Sequence, residues 1–64
     1  MLGNNIKELR EDLSLSQKDL ARKLKISEYY MNKIENGKEN PSVRLAIRMA
    51  HILNCRVEDL FFEN

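Results

Sequence analysis

The sequence is short of nearly everything that marks a larger, cross-linked or membrane-spanning protein. It has 64 residues with one cysteine, one proline, two glycines and no tryptophan. A single cysteine forms no internal disulfide, which is typical of a reducing compartment. No apolar run approaches the roughly 18 residues of a membrane span, and we expect no signal peptide. We therefore expect a single domain over residues 1–64, located in the cytoplasm.

The net charge is small, but the charges are unevenly distributed. Eleven Lys and Arg against ten Asp and Glu give a formal charge of +1. Residues 16–38 contain six basic and three acidic residues and carry +3, which leaves 1 − 3 = −2 for the remainder. A basic segment on an acidic body indicates a face for a polyanion. A chance fluctuation on a solvated surface would give the same count.

No residues are spaced as in a catalytic or metal site. His51 is the one histidine and has no partner at a metal-ligand spacing, which predicts a solvated side chain. Cys55 is interpreted as a packed or half-exposed small residue, with a cross-link between two chains as the alternative. No Ser/His/Asp set, glycine-rich phosphate loop or catalytic carboxylate pair can be assembled. We expect no enzymatic activity, no metal and no cofactor.

Helical spacing of apolar residues predicts an all-α fold of five short helices, with no strands. Helix 1 is expected to begin in a capping box of Asn5 with Glu8 and to end near Asp12. Helix 2, about 16–24, opens at Ser16. Ser27 is the predicted N-cap of a third helix, about 27–36, which Gly37 closes. The predicted inward stripe of helix 1 is Ile6, Leu9 and Leu13.

The second half of the chain continues the helical pattern. Ser42 is expected to cap helix 4, and a last short helix is expected to hold Val57, Leu60 and Phe61. The short connections predict a compact bundle. The inward stripe of helix 4 is predicted to be Val43, Ala46, Met49, Ala50 and Leu53.

Helices 2 and 3, joined by a tight turn with Ile26 at its centre, form a helix-turn-helix unit from Ser16 to Asn36. If the apolar residues face inward, Glu28, Tyr29, Asn32 and Lys33 form one exposed face of helix 3. Asn32 can pair with adenine, Lys33 can donate to guanine or phosphate, and Glu28 can accept from cytosine. An ordinary solvated helix face would look the same.

Several segments together resemble a known family. They are residues 15–21 (LSQKDLA), 26–27 (IS), 34–38 (IENGK), 40–42 (NPS), 53–54 (LN) and 57–61 (VEDLF). Their order and spacing resemble the Cro/cI-type phage-repressor (xenobiotic-response-element) helix-turn-helix family over nearly the whole chain, and the length is similar to its short, stand-alone repressors. The resemblance implies a lambda-repressor-like DNA-binding domain.

The resemblance also implies roles for individual residues. Gln17 would bind a phosphate, Tyr30 would lie at the rim, and Asn36 with Lys38 would hold the DNA backbone. Arg10 and Glu35 would form a partly buried structural salt bridge between helices 1 and 3. The positions that would touch DNA from helix 3 are Ser27, Glu28, Tyr29, Asn32 and Lys33.

Two residues depart from the family pattern. Lys25 stands where the turn often has glycine, and a positive φ there would cost Lys25 about 1 kcal/mol or more. Glu28 stands where a neutral or basic reader is common. It either reads cytosine or bonds Lys25 or another neighbouring base, and we favour the second interpretation.

Helix 4 and the tail have more apolar residues than one core face needs. One interpretation is a helix buried on most sides; the other, which we favour, is a self-complementary patch that forms a two-fold homodimer. Leu2 is a further candidate for that interface. A dimer would place two reading helices about 34 Å apart on DNA. The predicted interface residues are Leu45, Ile52, Phe61 and Phe62.

These features predict a transcriptional regulator that binds double-stranded DNA, most simply a repressor on an inverted-repeat operator. One alternative is an antitoxin whose apolar patch masks a toxin. Another is a controller of restriction–modification genes. We expect no membrane association and no separate ligand-binding domain.

Overall fold

The computed structural model describes residues 2–63; of Leu2 it describes only the backbone. Its helices are α1 (Ile6–Asp12), α2 (Gln17–Leu24), α3 (Glu28–Glu35), α4 (Val43–Ile52) and α5 (Val57–Leu60). Two short strands, β1 (Leu2–Asn4) and β2 (Phe61–Glu63), pair antiparallel. The predicted helical bundle is confirmed. Across the described residues, no helix has both the length and the apolar character needed to span a bilayer.

The expectation of no strands is wrong. Gly3 lies opposite Phe62 and Asn4 opposite Phe61, while the Asn5 N–H donates to the Leu60 carbonyl at 2.9 Å. The fifth helix therefore ends at Leu60, and Phe61 is extended, with φ −123°. Strands of three residues are too short to show an alternating pattern in the sequence. Each strand forms by pairing with a segment at the other end of the chain, and the local sequence does not reveal that segment.

The core draws on every helix. On α1 the inward residues are Ile6 and Arg10, with Leu9 half-buried, but Leu13, the C-cap residue, is exposed. The prediction that Leu13 faces inward is therefore wrong. The apolar residues of the core cluster are Ile6, Leu20, Ala21, Leu24, Met31, Ile34, Leu45, Met49, Ala50, Leu53 and Leu60.

The predicted stripe of α4 is wrong at its first turn. Val43 is 77% exposed, whereas Leu45 is only 8% exposed and belongs to the core. Val43 lies seven residues before Ala50 and hence on the same side of the helix. Its exposure follows from its place at the first residue of α4, beyond the end of the core. Leu45 is buried because it lies one helical turn before Met49, on the same side of α4.

The first four helices end in the same backbone turn. One or two positions after the last helical residue, one residue has a positive φ: Ser14 58°, Lys25 59°, Gly37 73° and Asn54 55°. The next N–H donates to the carbonyl five residues earlier, at 2.9–3.0 Å, in a Schellman arrangement. In three of the four turns this next residue packs against the core, as Leu15, Ile26 and Cys55 do. The half-burial of Cys55 is therefore explained by helix termination.

Serine hydroxyls begin three helices, as predicted. Ser16 accepts from the Asp19 N–H at 2.9 Å, Ser27 from Tyr30 at 3.0 Å, and Ser42 from Leu45 at 3.1 Å. Asp19 reciprocates by accepting from the Ser16 N–H at 3.1 Å. That hydrogen bond from the backbone lowers the pKa of the Asp19 carboxyl below its ordinary value.

The first helix is capped differently from the prediction. The Asn5 side chain makes no capping hydrogen bond. Instead Asn4 Oδ1 accepts from the Ile6 N–H at 3.1 Å, while the Asn5 amide donates to the Asp59 carbonyl at 3.3 Å. The expected Asn5–Glu8 capping box is wrong, because the strand pairing before α1 places Asn4 at the helix start and turns Asn5 towards α5.

Candidate nucleic-acid interface

Helix α3 is held rigidly against the body of the protein. Met31 and Ile34 are buried on its inner side, and Ile26 anchors the turn that precedes it. The Asn4 amide donates to the Ile34 carbonyl at 3.1 Å, which ties the end of α3 to β1. The outer side of α3 is therefore presented in a fixed direction.

The ion pair between Arg10 and Glu35 adds a second support. Arg10 Nε donates to Glu35 Oε2 at 2.8 Å, and Nη2 donates to Oε1 at 3.1 Å. Nη1 donates to the Leu15 carbonyl at 2.9 Å, so the guanidinium joins α1, the turn before α2, and α3. The hydrogen bond to Glu35 raises the pKa of Arg10. Both side chains are at least nine-tenths buried.

The outer side of α3 carries most of the predicted contact residues. Glu28, Tyr29 and Asn32 are exposed there, with Tyr29 at 72%. Lys33 is half-buried, and its Nζ lies 5.2 Å from the centroid of the Tyr29 ring. This distance is suited to a cation–π contact, so the two side chains form one unit.

A second pair joins the end of the same face. Asn36 Nδ2 donates to Asn32 Oδ1 at 3.0 Å, and both side chains are exposed. Asn32 keeps two N–H donors and one free lone pair on Oδ1. These are the groups that a bidentate contact with adenine uses.

The remaining predicted contact residues surround this face. Ser27 is exposed at the start of α3, and its hydroxyl hydrogen is free to donate while the oxygen caps the helix. Gln17 is half-buried in the first turn of α2, where backbone N–H groups have no partner within the helix. Tyr30 packs partly against the core, and Lys38 is exposed after α3.

The acidic side chains of residues 16–38 differ in whether they have partners within the protein. Of the three acids in residues 16–38, Asp19 is engaged in the α2 cap and Glu35 in the ion pair. Within residues 2–63 Glu28 forms no salt bridge, so its expected bond to Lys25 or another neighbouring base is absent. Glu28 instead shares a shallow depression with Lys18 and Arg22. Sequence reasoning left these two bases out of the candidate site, although the local charge of +3 pointed to them.

Comparison with known proteins decides the family. A model described as helix-turn-helix matches residues 6–60. The chain belongs to the helix-turn-helix family. The resemblance to its Cro/cI-type members is confirmed, and an HTH-type transcriptional regulator of Archaeoglobus fulgidus is 41% identical over 60 residues, 94% of this chain and 86% of the relative.

Solved structures agree with this assignment. A Bacteroides fragilis protein superimposes with a TM-score of 0.88 at 24% identity, covering 97% of this chain and 100% of that chain, and shares the fold. The biofilm regulator SinR in complex with DNA gives a TM-score of 0.75 at 28% identity, covering 83% and 86% of the two chains.

Other groups in this helix-turn-helix protein lie away from α3. Cys55 is half-buried beside His51 and Arg56, and burial, with the nearby Asp59 charge, raises the pKa of its thiol. A raised pKa reduces the thiolate fraction and the reactivity. His51 is exposed. No group of three or more His, Cys, Asp or Glu in residues 2–63 is arranged to hold a metal ion.

The predicted dimer residues differ in exposure. Phe62 is 42% exposed, and Ile52 and Phe61 are half-buried. Leu45 is part of the core, so its predicted place in an interface is wrong: the stripe of α4 covers it within one chain. The Leu2 side chain lies outside the described residues.

Proposed function

We propose that this protein is a sequence-specific transcriptional repressor that binds an inverted-repeat operator as a homodimer. One observation carries the proposal: the exposed face of α3 presents hydrogen-bonding groups from a helix locked by a buried ion pair. Occupying a promoter would exclude polymerase and repress transcription.

The contacts divide by chemistry. Tyr29, Asn32 and Lys33 would meet base edges, because they lie on the outer side of α3 and offer donors, an acceptor and a ring. Backbone contacts would position the protein without reading sequence. The residues proposed for them are Gln17, Ser27, Tyr30, Asn36 and Lys38, supported by Lys18 and Arg22.

Glu28 has a supporting role in the proposal. Its carboxylate would repel phosphates, but Lys18 and Arg22 line the same depression and offset that charge. Glu28 is therefore free to accept from a cytosine amine where the α3 start enters the groove.

Dimerisation completes the proposed mode of binding. One short helix makes few base contacts, whereas a two-fold pair doubles them and requires half-sites about 10 base pairs apart. The partly exposed apolar side chains of Ile52, Phe61 and Phe62 would form the contact between copies.

Selection of bound sites from random duplex DNA tests this function. We expect enrichment of an inverted repeat, and Asn32→Ala should relax preference at one base pair per half-site by about 1–3 kcal/mol. Lys38→Ala should weaken all duplexes alike and lower the salt slope by about one.

Light scattering of the same sample gives the oligomeric state. A monomer at high micromolar concentration would contradict the homodimer. A chain that enriches no sequence would overturn the proposal and favour a protein-binding module.

A further inference from the structure

We infer that Asn4 is a positioning residue for base recognition: its side chain fixes the direction of the last turn of α3, from which Asn32 and Lys33 would read DNA. This inference rests on the proposed function and adds to it a residue that acts through α3 rather than on the DNA. Asn4 belongs to β1, and both strands of the sheet lie outside residues 6–60, the segment that the family model matches.

Three hydrogen bonds join the Asn4 side chain to two helices. Its Nδ2 donates to the Ile34 carbonyl at 3.1 Å and to the Glu35 carbonyl at 3.4 Å, both in the last turn of α3. Its Oδ1 accepts from the Ile6 N–H at 3.1 Å, at the start of α1. The last four carbonyls of a helix have no partner within it. Asn4 supplies donors to two of them and thereby ties the end of α3 to the start of α1.

These partners leave the Asn4 amide a single orientation. All three are backbone groups, and a backbone N–H can only donate while a carbonyl can only accept. Turning the amide over would set its oxygen against the two carbonyls of α3 and its NH₂ group against the Ile6 N–H. None of the three hydrogen bonds would survive, and no partner can reverse its role to restore them.

The backbone of Asn4 is fixed as well. Asn4 lies opposite Phe61 where β1 pairs with β2. The N–H of the next residue, Asn5, donates to the Leu60 carbonyl at 2.9 Å. The Asn4 side chain is half-buried. A fixed backbone and a fixed amide make Asn4 a rigid connection between the sheet and the end of α3.

The place of this connection decides how strongly it affects recognition. Ile26 anchors the start of α3, whose eight residues span about 12 Å. A rotation of about 5° about that anchor moves the far end of the helix by about 1 Å. Base contacts need their groups within about 0.5 Å of the productive position. Attraction to phosphate charge varies little over such a shift, so the loss falls on base recognition.

The test compares the selected operator with a duplex altered at the one base pair where Asn32→Ala loses its preference. Asn4→Ala should reduce discrimination between the two duplexes by about two- to thirtyfold. It should do so by weakening operator binding, with the altered duplex and the salt slope nearly unchanged, because no phosphate contact is removed. Binding is measured below the thermal transition of each variant. A smaller folded fraction would weaken both duplexes alike and leave their ratio unaffected.

Two further variants separate the connection to α3 from a general loosening of the N-terminal segment. Asn4→Asp keeps an acceptor for the Ile6 N–H but has no N–H for the carbonyls of α3, so α1 stays capped and discrimination should still fall. Asn5→Ala is the matched control. It removes one side-chain hydrogen bond of 3.3 Å to the Asp59 carbonyl, in α5 rather than α3, and should leave the ratio unchanged.

A measurement on the free protein accompanies the binding data. Asn4→Ala should change the N–H residual dipolar couplings of the last turn of α3 relative to those of α2, and Asn5→Ala should not. Unchanged couplings, equal weakening of both duplexes by Asn4→Ala, or an equal fall in discrimination for Asn5→Ala overturns the inference and leaves the proposed function intact. A parent chain that selects no sequence overturns the proposed function and, with it, this role of Asn4.

Discussion

The helix-turn-helix unit, residues 16–36, and the C-terminal unit, residues 42–63, are held by different kinds of contact. In the first, the helix boundaries use partners a few residues away: Ser16 with Asp19, Ser27 with Tyr30, and the Lys25 turn. In the second, Ser42 begins α4 locally, but α5 and β2 pair with Asn5 and β1 from the other end of the chain.

This difference separates how the helices of the helix-turn-helix unit form from how that unit is oriented relative to the rest of the protein. Short-range contacts set where α2 and α3 begin and where α2 ends. Their direction relative to the body depends on contacts with the N-terminal segment, namely the Arg10–Glu35 pair and the Asn4 amide. The C-terminal unit contacts the same N-terminal segment, through the pairing of β2 with β1 and the hydrogen bond from the Asn5 N–H to the Leu60 carbonyl.

The largest predicted effect comes from breaking the ion pair. Glu35→Ala leaves Arg10 buried and charged without its partner, so we expect a loss of about 3–5 kcal/mol in the free energy of unfolding, measured by urea denaturation. Glu58→Ala, an exposed carboxylate of the C-terminal unit, is the control and should change it by less than about 0.5 kcal/mol. A loss below about 1 kcal/mol for Glu35→Ala would contradict this account.

An intermediate effect is expected at the helix starts. Ser16→Ala should cost about 1 kcal/mol because the Asp19 N–H loses its acceptor. In the C-terminal unit, Asp59 accepts from the Arg56 N–H at 3.0 Å, but arginine has no acceptor to return the bond. Arg56→Ser should complete a capping box and stabilise by about 0.5–1 kcal/mol. Thermal unfolding of both variants tests these two predictions. A change of stability in the same direction for both variants would contradict them.

The α2 cap also gives a pH dependence of stability. Because the pKa of Asp19 is lowered in the folded protein, its stabilising contribution is present above the ordinary aspartate pKa of about 3.9 and is lost as pH falls through the lower folded value. The stability difference between the parent and Asp19→Asn should therefore shrink below that pH. An unchanged difference down to acid unfolding would contradict the cap.

The smallest effect compares two left-handed turns. Lys25→Gly should relieve about 1 kcal/mol of backbone strain, partly offset by the greater freedom of glycine in the unfolded chain. Asn54→Gly should gain only a few tenths, since asparagine tolerates this conformation. The urea midpoints of the two variants, compared at equal m-values, rank their gains in stability. A larger gain for Asn54→Gly than for Lys25→Gly would contradict this prediction.

What the sequence predicted was mostly local. The three serine caps, the closing Gly37 and the apolar Ile26 each act within six residues, and each is found as expected. The predictions that were wrong concern features that depend on residues distant in the sequence or on the position of a residue along a helix axis. The strands need each other, the α1 cap moved to Asn4 because of β1, and Val43 lies past the end of the core.

The candidate site follows the same rule. Helical periodicity placed Glu28, Tyr29 and Asn32 on the outer side of α3, where they are found. It did not show that Lys33 leans onto Tyr29 or that Asn36 bonds to Asn32, because these contacts depend on rotamers. The spacing of four residues between the partners was visible and indicated that such contacts were available.

The pairing of β1 with β2 has a mechanical consequence. Residues 2 and 63 are paired at one end of the antiparallel sheet, so both strands extend from them towards the same end. A force that pulls these two residues apart acts across the strand hydrogen bonds, which then break one after another rather than together. The domain should therefore yield to low force at its sheet first, and the helix-turn-helix unit should lose its support from Asn4 and Arg10 only after the sheet has opened.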